Sequence, residues 1–352
     1  MIVLDVPVMS VVDLPSHSPQ CLTSGVATRM HERATQWLPR RTFRCVDVSL
    51  EDVLHAKSTT RVSVVIPAHN EAPTIEAVIA RIREDLLIRS TLVDELIVID
   101  SDSGDETAAV ARAAGATVFS AADIEPALGW RPGKGEAMWK SLFVTTGDVI
   151  VFVDADLMNF SSAYVVGLVA PLLFHEEISL VKGFYDRDLS LDGAGKSQGG
   201  RVTELTARPL ISLWWPELAG VIQPLAGEWS ARRTLLESLN FPSGYGIEFA
   251  ALIDTYERLG LDAVAQVDLG VRSHVHQDLA SLGAMAAEVV AAAASRRFND
   301  TSPLDASISH VGRSPAGVAD KWTTRPINLA ERPPRASLSS DRERTQIIEG
   351  AQ

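Results

Sequence analysis

The chemistry of this chain is most legible in the run Gly147-Asp148-Val149-Ile150-Val151-Phe152-Val153-Asp154-Ala155-Asp156-Leu157. An apolar, mostly β-branched stretch from Val149 to Val153 ends abruptly in two carboxylates separated by one small residue. Such a stretch suits a central strand covered on both faces. Ligands of open α/β sheets bind beyond the carboxyl ends of the strands, which puts Asp154 and Asp156 where chemistry would occur. Paired carboxylates favour a hard divalent cation, and the usual companions of that cation are phosphate oxygens. The competing interpretation is a strand-to-helix turn in which one aspartate caps the next helix.

Two further stretches have the character of anion sites. In Arg131-Pro132-Gly133-Lys134-Gly135-Glu136-Ala137, two glycines flank a lysine just before a helical pattern. Backbone N–H groups, the helix dipole and an ammonium would converge there on an anion, although the spacing of a P-loop is absent. Gln198-Gly199-Gly200-Arg201-Val202-Thr203-Glu204 repeats the logic with an arginine, whose fork can bond two oxygens of a phosphate or carboxylate at once. Alternatively, Arg201 forms a salt bridge with Glu204.

The remaining candidates sit at other strand ends. Pro67-Ala68-His69-Asn70-Glu71 offers hydrogen-bonding groups to a nucleobase or ribose, or else turns the chain into the helix that starts near Thr74. Ser101 holds the equivalent position after the next strand. Arg272-Ser273-His274-Val275-His276 follows a later strand. His274 is a candidate ligand for a cation held by Asp156, with a structural histidine as the alternative, and His276 shares its side of an extended segment. Tyr245-Gly246-Ile247-Glu248 heads a helix, where the dipole favours Glu248 whatever its function.

The elements that must position these residues follow from periodicity. Strands are predicted at 61–67, 94–100, 116–119, 149–153, 179–185 and 263–269, with an extended stretch at 227–231. Helical spacing covers 74–89, the Ala-rich segment to Ala114, 133–145, 162–174, 201–213 up to a disturbance at Pro209, 247–259 and 279–297. This alternation with short turns predicts an α/β fold with a mostly parallel sheet flanked by helices. Residues 1–60 read as a loosely packed, partly irregular extension with one short helix at 49–57 capped by Ser49. Met30 is a second candidate start. The composition beyond Asn299 predicts a disordered tail over 299–352.

Composition sets bounds. With 352 residues and 46% apolar content, the chain can bury a large core. A net charge of −13 argues against nucleic acid or a membrane surface as partner. Anionic ligands would then need locally concentrated cations, which Lys134 and Arg201 supply. Cys21 and Cys45 lie outside the expected core domain and have no metal or redox spacing, which fits a reducing cytoplasm. No run reaches the ~18 apolar residues of a membrane span, and the N-terminus makes a poor signal peptide. The apolar helix 279–294 hints at a homodimer.

Taken together, the strand ends Pro-Ala-x-Asn-Glu and Asp-Ser, the Arg-Pro-Gly-Lys-Gly-Glu loop and the Asp-x-Asp strand end resemble family 2-like glycosyltransferases of the GT-A fold. GGRVTEL (199–205), ARPL (207–210), GYGIE (244–248), DTYERLGLDA (254–263) and QVDLGVRSH (266–274) are similar to the glucosyl-3-phosphoglycerate synthase family, which includes the related mannosyl-3-phosphoglycerate synthases. The resemblance covers about residues 43–297. It implies a GT-A domain over 61–298, with a nucleotide-sugar-binding half at 61–158 and an acceptor-binding half at 159–298. It also implies metal-dependent transfer of glucose, with retention, from a nucleoside diphosphate donor, most simply UDP-glucose, to the 2-hydroxyl of 3-phosphoglycerate. GDP-mannose is the alternative donor, and a non-catalytic nucleotide-sugar-binding protein is the alternative outside enzymes.

By position, the resemblance places Pro67, Ala68, His69, Asn70, Glu71 and Ser101 at the uracil and ribose, with Lys134, Asp154 and Ala155 beside the donor. Asp156 and His274 would bind Mg²⁺ or Mn²⁺. Tyr245, Gly246, Ile247, Glu248, Arg272 and Ser273 would line the donor sugar and diphosphate. Gly200, Arg201, Val202 and Thr203 would grip the acceptor. Asp154, Asp156 and Glu248 are the expected catalytic carboxylates. One departure stands out: where the family commonly has an acceptor-contacting Asn two residues after the metal-binding histidine, this chain has His276.

Overall fold

The computed structural model describes residues 30–187, 200–272, 279–298, 306–312 and 321–338. Helix α1 (Glu32–Arg41), strand β1 (Thr42–Arg44) and helix α2 (Leu50–Lys57) come first. Strand and helix then alternate through β2 (Val62–Ala68), α3 (Ile75–Ile82), β3 (Glu95–Asp100), α4 (Thr107–Ala113) and β4 (Thr117–Ser120). The same rhythm continues with α5 (Lys134–Ser141), β5 (Val149–Phe152), α6 (Ser162–Phe174) and β6 (Leu180–Arg187). The second half supplies α7 (Arg208–Trp214), β7 (Trp229–Arg232), α8 (Arg233–Ser238), β8 (Phe241–Pro242), α9 (Ile247–Leu259), β9 (Val264–Arg272) and α10 (Leu279–Phe298). Strands β10 (Ser307–Gly312), β11 (Lys321–Pro326) and β12 (Glu331–Arg332) follow.

Eight strands form one sheet in the order β1-β9-β6-β7-β5-β2-β3-β4. Strand β7 runs antiparallel to β5 and β6, and every other pairing is parallel. All strands except β7 therefore point their carboxyl ends at one edge, and the site forms there. Successive strand residues serve opposite cores, as period-2 geometry requires. Val62, Val64, Ile66 and Val151 pack with the apolar faces of α3 and α6, while Val65, Ile150 and Phe152 pack with Trp139 of α5 and Ile253 of α9. Covering both faces explains why β2, β3 and β5 read as continuous apolar runs. Pro209 causes no break, because a π-helical turn over Thr203–Ala207 runs straight into α7 and takes up the proline near its junction.

Both flanks are more integrated than the sequence predicts. Over its described part, the expected loose extension 1–60 belongs to the sheet. Strand β1 pairs in parallel with β9, Thr42 opposite Gln266, and the buried Gln266 amide donates to Thr42 Oγ1 at 2.9 Å and to the Gly220 carbonyl at 3.1 Å. Trp37 is fully buried and its indole donates to the Val264 carbonyl at 2.9 Å. A three-residue strand shows too little alternation to be read from sequence. Cys45, expected outside the core, is buried within it. Burial, helped by Asp268, pushes its thiol up to about 11, which leaves it inert. Cys21 lies outside the described residues.

The expected disorder of 299–352 does not describe 306–312 and 321–338. Strands β10 and β11 pair antiparallel, and β12 pairs antiparallel with β8. Arg332 forms a bidentate pair with the fully buried Glu136, both contacts at 2.7 Å. Its guanidinium lies 4.9 Å from the Trp139 ring centroid. Trp139 in turn donates to the Pro333 carbonyl at 2.9 Å. A Ser-, Pro- and Arg-rich composition normally marks solvated chain. Here the arginine finds a buried carboxylate and an aromatic face instead.

Candidate active site

At the carboxyl edge of the sheet, three elements meet on one ammonium. Strand β5 ends at Phe152, and the next residue, Val153, still donates to the Val65 carbonyl at 3.1 Å, so Asp154 is the first side chain to leave the sheet. Lys134, at the start of α5, places Nζ 2.6 Å from Asp154 Oδ1 and 2.7 Å from Glu248 Oε1, in the first turn of α9. Two glycines make this approach feasible. Gly133 has φ +131°, and a Cβ there would lie 2.3 Å from the Ser243 carbonyl oxygen. At Gly227 a Cβ would lie 2.1 Å from Asp154 Oδ2, so only bare backbone can pass behind that carboxylate.

Two lysines share this neighbourhood in opposite electrostatic states. Burial works against the Lys134 ammonium, yet Asp154 and Glu248 outweigh it and hold its pKa well above the ordinary value. Lys182 on β6 is 1% exposed, donates to the Ala226 carbonyl at 2.8 Å and lies 5.4 Å from the Trp229 ring centroid. Without a direct carboxylate partner of that kind, burial pushes it down to about 7 despite the pull of Glu248. Lys182 thus ties down the residue beside Gly227, directly behind Asp154.

These groups border a cavity of about 620 Å³, a size typical of ligand sites. Of the residues expected from the sequence, Pro67, Ala68, His69, Glu71, Ser101, Lys134, Asp154, Ala155, Asp156, Gly200, Arg201, Val202, Thr203, Tyr245 and Glu248 line it. His69 Nδ1 and the Ser101 carbonyl lie 2.8 Å apart, joining the ends of β2 and β3. Asn70 is not in the wall. At φ +59°, its side-chain oxygen accepts from the Gly104 N–H at 2.8 Å, so it shapes the loop after β3. Ile247, expected at the donor, is fully buried in the core, and Gly246 backs onto Ala292 of α10. Both support the wall from behind. Arg272 is the last residue of β9, while Ser273, His274 and His276 lie outside the described residues. Glu204, weighed as a partner for Arg201, accepts from Arg208 Nε at 2.8 Å.

The carboxylates fit a divalent cation. Among the described residues no group of three or more His, Cys, Asp and Glu side chains forms a ready metal site. Asp156 is nevertheless exposed in the cavity wall. Burial, followed by the charge of Asp156, pushes the Glu71 carboxyl up, so carboxylate oxygens crowd this corner of the wall. An oxygen donor set of that kind suits Mg²⁺ or Mn²⁺.

Residues 63–208 match glycosyl transferase family 2. A glucosyl-3-phosphoglycerate synthase of Mycolicibacterium paratuberculosis is 45% identical over 86% of this chain and 92% of its own length. The chain belongs to the glucosyl-3-phosphoglycerate synthase family. A relative in Petrotoga mobilis is 48% identical over 67% of this chain and 73% of its own. The crystal structure of the Mycobacterium tuberculosis glucosyl-3-phosphoglycerate synthase superposes with a TM-score of 0.73 at 44% identity, covering 85% of this chain and 99% of that one. Another structure of that protein, in complex with Mn²⁺, uridine diphosphate and glucosyl-3-phosphoglycerate, gives 0.73 at 45% identity, covering 83% of this chain and 96% of that one.

Several wall residues of this family member escape sequence reading. Asp102, Trp130, Tyr185, Leu225 and Gly227 reach the cavity from loops and strand ends without any local pattern. Leu282, Met285 and Val289 of α10 do have one. Their spacing of three and four puts them on a single helical face, and that face closes the cavity. An apolar stripe of this kind suits a cavity wall as well as the dimer surface that the sequence hinted at.

Proposed function

We propose that this chain is a metal-dependent retaining glucosyltransferase that moves glucose from UDP-glucose to the 2-hydroxyl of 3-phosphoglycerate. The observation that carries the proposal is the shared cavity. The Lys134–Asp154–Glu248 node, Asp156 and the Gly200–Thr203 helix start with Arg201 all line it. Two anionic substrates in a protein of net charge −13 require two local cationic subsites: Lys134 together with a divalent cation would make one, and Arg201 makes the other.

In this reading, His69, Glu71 and Ser101 in the 61–158 half receive the nucleoside, while Gly200, Arg201, Val202 and Thr203 in the 159–298 half hold the acceptor's phosphate and carboxylate. Arg201 bonds two of those oxygens and orients the 2-hydroxyl towards the anomeric carbon. Asp156, with His274 and the donor's phosphate oxygens, would hold Mg²⁺ or Mn²⁺, which neutralises charge gathering on the leaving diphosphate. Lys134 is held charged beside that same region and aids departure electrostatically. Asp154 and Glu248 each give one oxygen to Lys134 Nζ, at 2.6 and 2.7 Å, and this ammonium draws electron density from both and weakens either as a nucleophile. That favours attack on the same face as departure, the acceptor proton passing to a leaving-diphosphate oxygen, and hence retention.

We also propose a cytoplasmic homodimer. Among the described residues, no helix is long and apolar enough to cross a membrane. Leu205 in the π-helical turn Thr203–Ala207, Leu213 of α7 and Phe298 of α10 are 77%, 74% and 61% exposed on adjoining segments, where Trp214 and Phe298 pack edge to face at 5.3 Å. Sedimentation would give twice the 38.0 kDa chain mass; a monomer at micromolar concentration would exclude the dimer.

The direct test of function is to incubate the protein with Mn²⁺ and 3-phosphoglycerate plus either UDP-glucose or GDP-mannose, and to identify products by mass spectrometry and anomeric NMR couplings. UDP-glucose should yield α-linked glucosyl-3-phosphoglycerate. Product from GDP-mannose alone would overturn the sugar assignment, and UDP release without a conjugate would overturn the acceptor.

A further inference from the structure

Lys134 and Glu248 arrive at the site on different elements, and neither arm is held to the sheet by strand pairing at the point where they meet. The first turn of α5, which continues the loop before it, is instead bonded to the loop before α9, Gly135 N–H to the Gly244 carbonyl at 3.2 Å and Glu136 N–H to the Ser243 carbonyl at 2.9 Å. Both loops are also tied to the C-terminal segment. Ser243 N–H donates to the Ala330 carbonyl at 2.8 Å, and Asn328 Nδ2 donates to the Pro132 carbonyl at 2.6 Å.

One side chain joins these ties. Glu288, on the helix whose Leu282, Met285 and Val289 line the cavity, accepts the Tyr245 N–H on Oε2 at 2.6 Å and the Asn328 N–H on Oε1 at 3.2 Å. The carboxylate fills the space beside Gly244, where a Cβ would stand 2.1 Å from Oε2. Tyr245, next in the chain, is a cavity-wall residue.

We infer that Glu288 is a positioning residue for the donor side of the site: its two oxygens clasp the Tyr245 turn to Asn328, which holds the Pro132 carbonyl and so sets where Lys134 meets Glu248. The clasp makes the C-terminal segment, remote in sequence from every catalytic group, part of the donor-site geometry. Geometrically the clasp stands by itself, but its effect on catalysis rests on the glucosyltransferase reading. Glu288→Gln keeps shape while one carboxylate acceptor becomes an NH₂ that cannot accept. Asn328→Ala removes the bond to the Pro132 carbonyl and the longer one that Oδ1 accepts from the Ala330 N–H at 3.3 Å, from a partly exposed side chain. Glu288→Gln thus loses about one hydrogen bond of ordinary worth and Asn328→Ala one and a weaker second, which at a positioning site corresponds to a change of roughly tenfold.

The test uses the full chain. In each variant, KM for UDP-glucose should rise ~tenfold, with KM for 3-phosphoglycerate within about twofold and the unfolding midpoint close to wild type, a split that general destabilisation would not produce. Hydrogen exchange without substrates should quicken at 131–137 and 242–246 and remain unchanged at β2 and β5. If the wild-type protein turns over neither donor, the functional reading fails, and exchange alone still judges the clasp. Unchanged exchange in Asn328→Ala, or equal rises in both KM values, overturns the inference even where Glu288→Gln does not fold.

Discussion

Replacing Lys182 with methionine tests the electrostatic account of the site quantitatively. The side chain is 1% exposed and burial depresses its pKa from 10.5 to about 7. Between those values the unfolded chain carries a proton on Lys182 that the folded protein does not. Stability must therefore rise with pH across that window, with the penalty for the buried charge fully present below pH 7 and gone above about 10.5. At ~1.36 kcal/mol per pH unit the full span corresponds to roughly 5 kcal/mol, of which about 2 kcal/mol is recovered between pH 7 and pH 9. Methionine fills a similar volume with no charge, so Lys182→Met should lack this component while losing only the bond to the Ala226 carbonyl. The assay is urea unfolding of both proteins at pH 7, 8 and 9. Subtracting the two profiles cancels other groups, and the difference should favour wild type increasingly by about 2 kcal/mol over that range. Parallel profiles would mean that Lys182 keeps its proton when buried, and the contrast with Lys134 would be wrong.

Arg201→Ala should raise KM for 3-phosphoglycerate by about ten- to a hundredfold, the worth of a charge-assisted hydrogen bond, and leave KM for UDP-glucose nearly unchanged; steady-state kinetics with each substrate varied would show the reverse if the two anion sites are misassigned. Arg332→Ala leaves the fully buried Glu136 carboxylate without its bidentate partner and should cost about 3–5 kcal/mol in denaturant unfolding. The double variant Glu136→Gln/Arg332→Met should recover part of that loss, and a cost under ~1 kcal/mol for Arg332→Ala would show that the C-terminal segment contributes little. Asp156→Ala should abolish metal-dependent turnover without lowering the unfolding midpoint, because the side chain is exposed; near-normal activity would refute its assigned role.

What could be read beforehand follows the length of each signal. Helices α6 and α9 occur with the expected bounds, Ser162–Phe174 and Ile247–Leu259, since each carries several turns of consistent spacing between clear stops. The strand ends at Pro67, Ser101 and Asp154 were legible because both faces of β2, β3 and β5 are buried, giving uninterrupted apolar runs that stop at polar residues. Strand β1 and the β12–β8 pair were not legible. They are two or three residues long, and long-range partners, Gln266 for Thr42 and Glu136 for Arg332, hold them. Within the site, Lys134 and Glu248 could each be suspected from a helix start, but their meeting on one Nζ depends on Gly133 and Gly227 letting backbone approach closely. Lys182 carried no signal, because an isolated lysine in a strand pattern reads as a solvated face.

In the proposed reaction, Asp156 brings a divalent cation to the sugar donor at the edge of this sheet. An anomalous difference map from crystals of this protein grown with Mn²⁺ and UDP-glucose tests it most directly. A manganese peak is expected at bonding distance from an Asp156 carboxylate oxygen and from the donor's diphosphate, with Lys134 beside the same diphosphate. A peak elsewhere in the cavity with Asp156 uncoordinated, or a diphosphate bound away from β5, would contradict it.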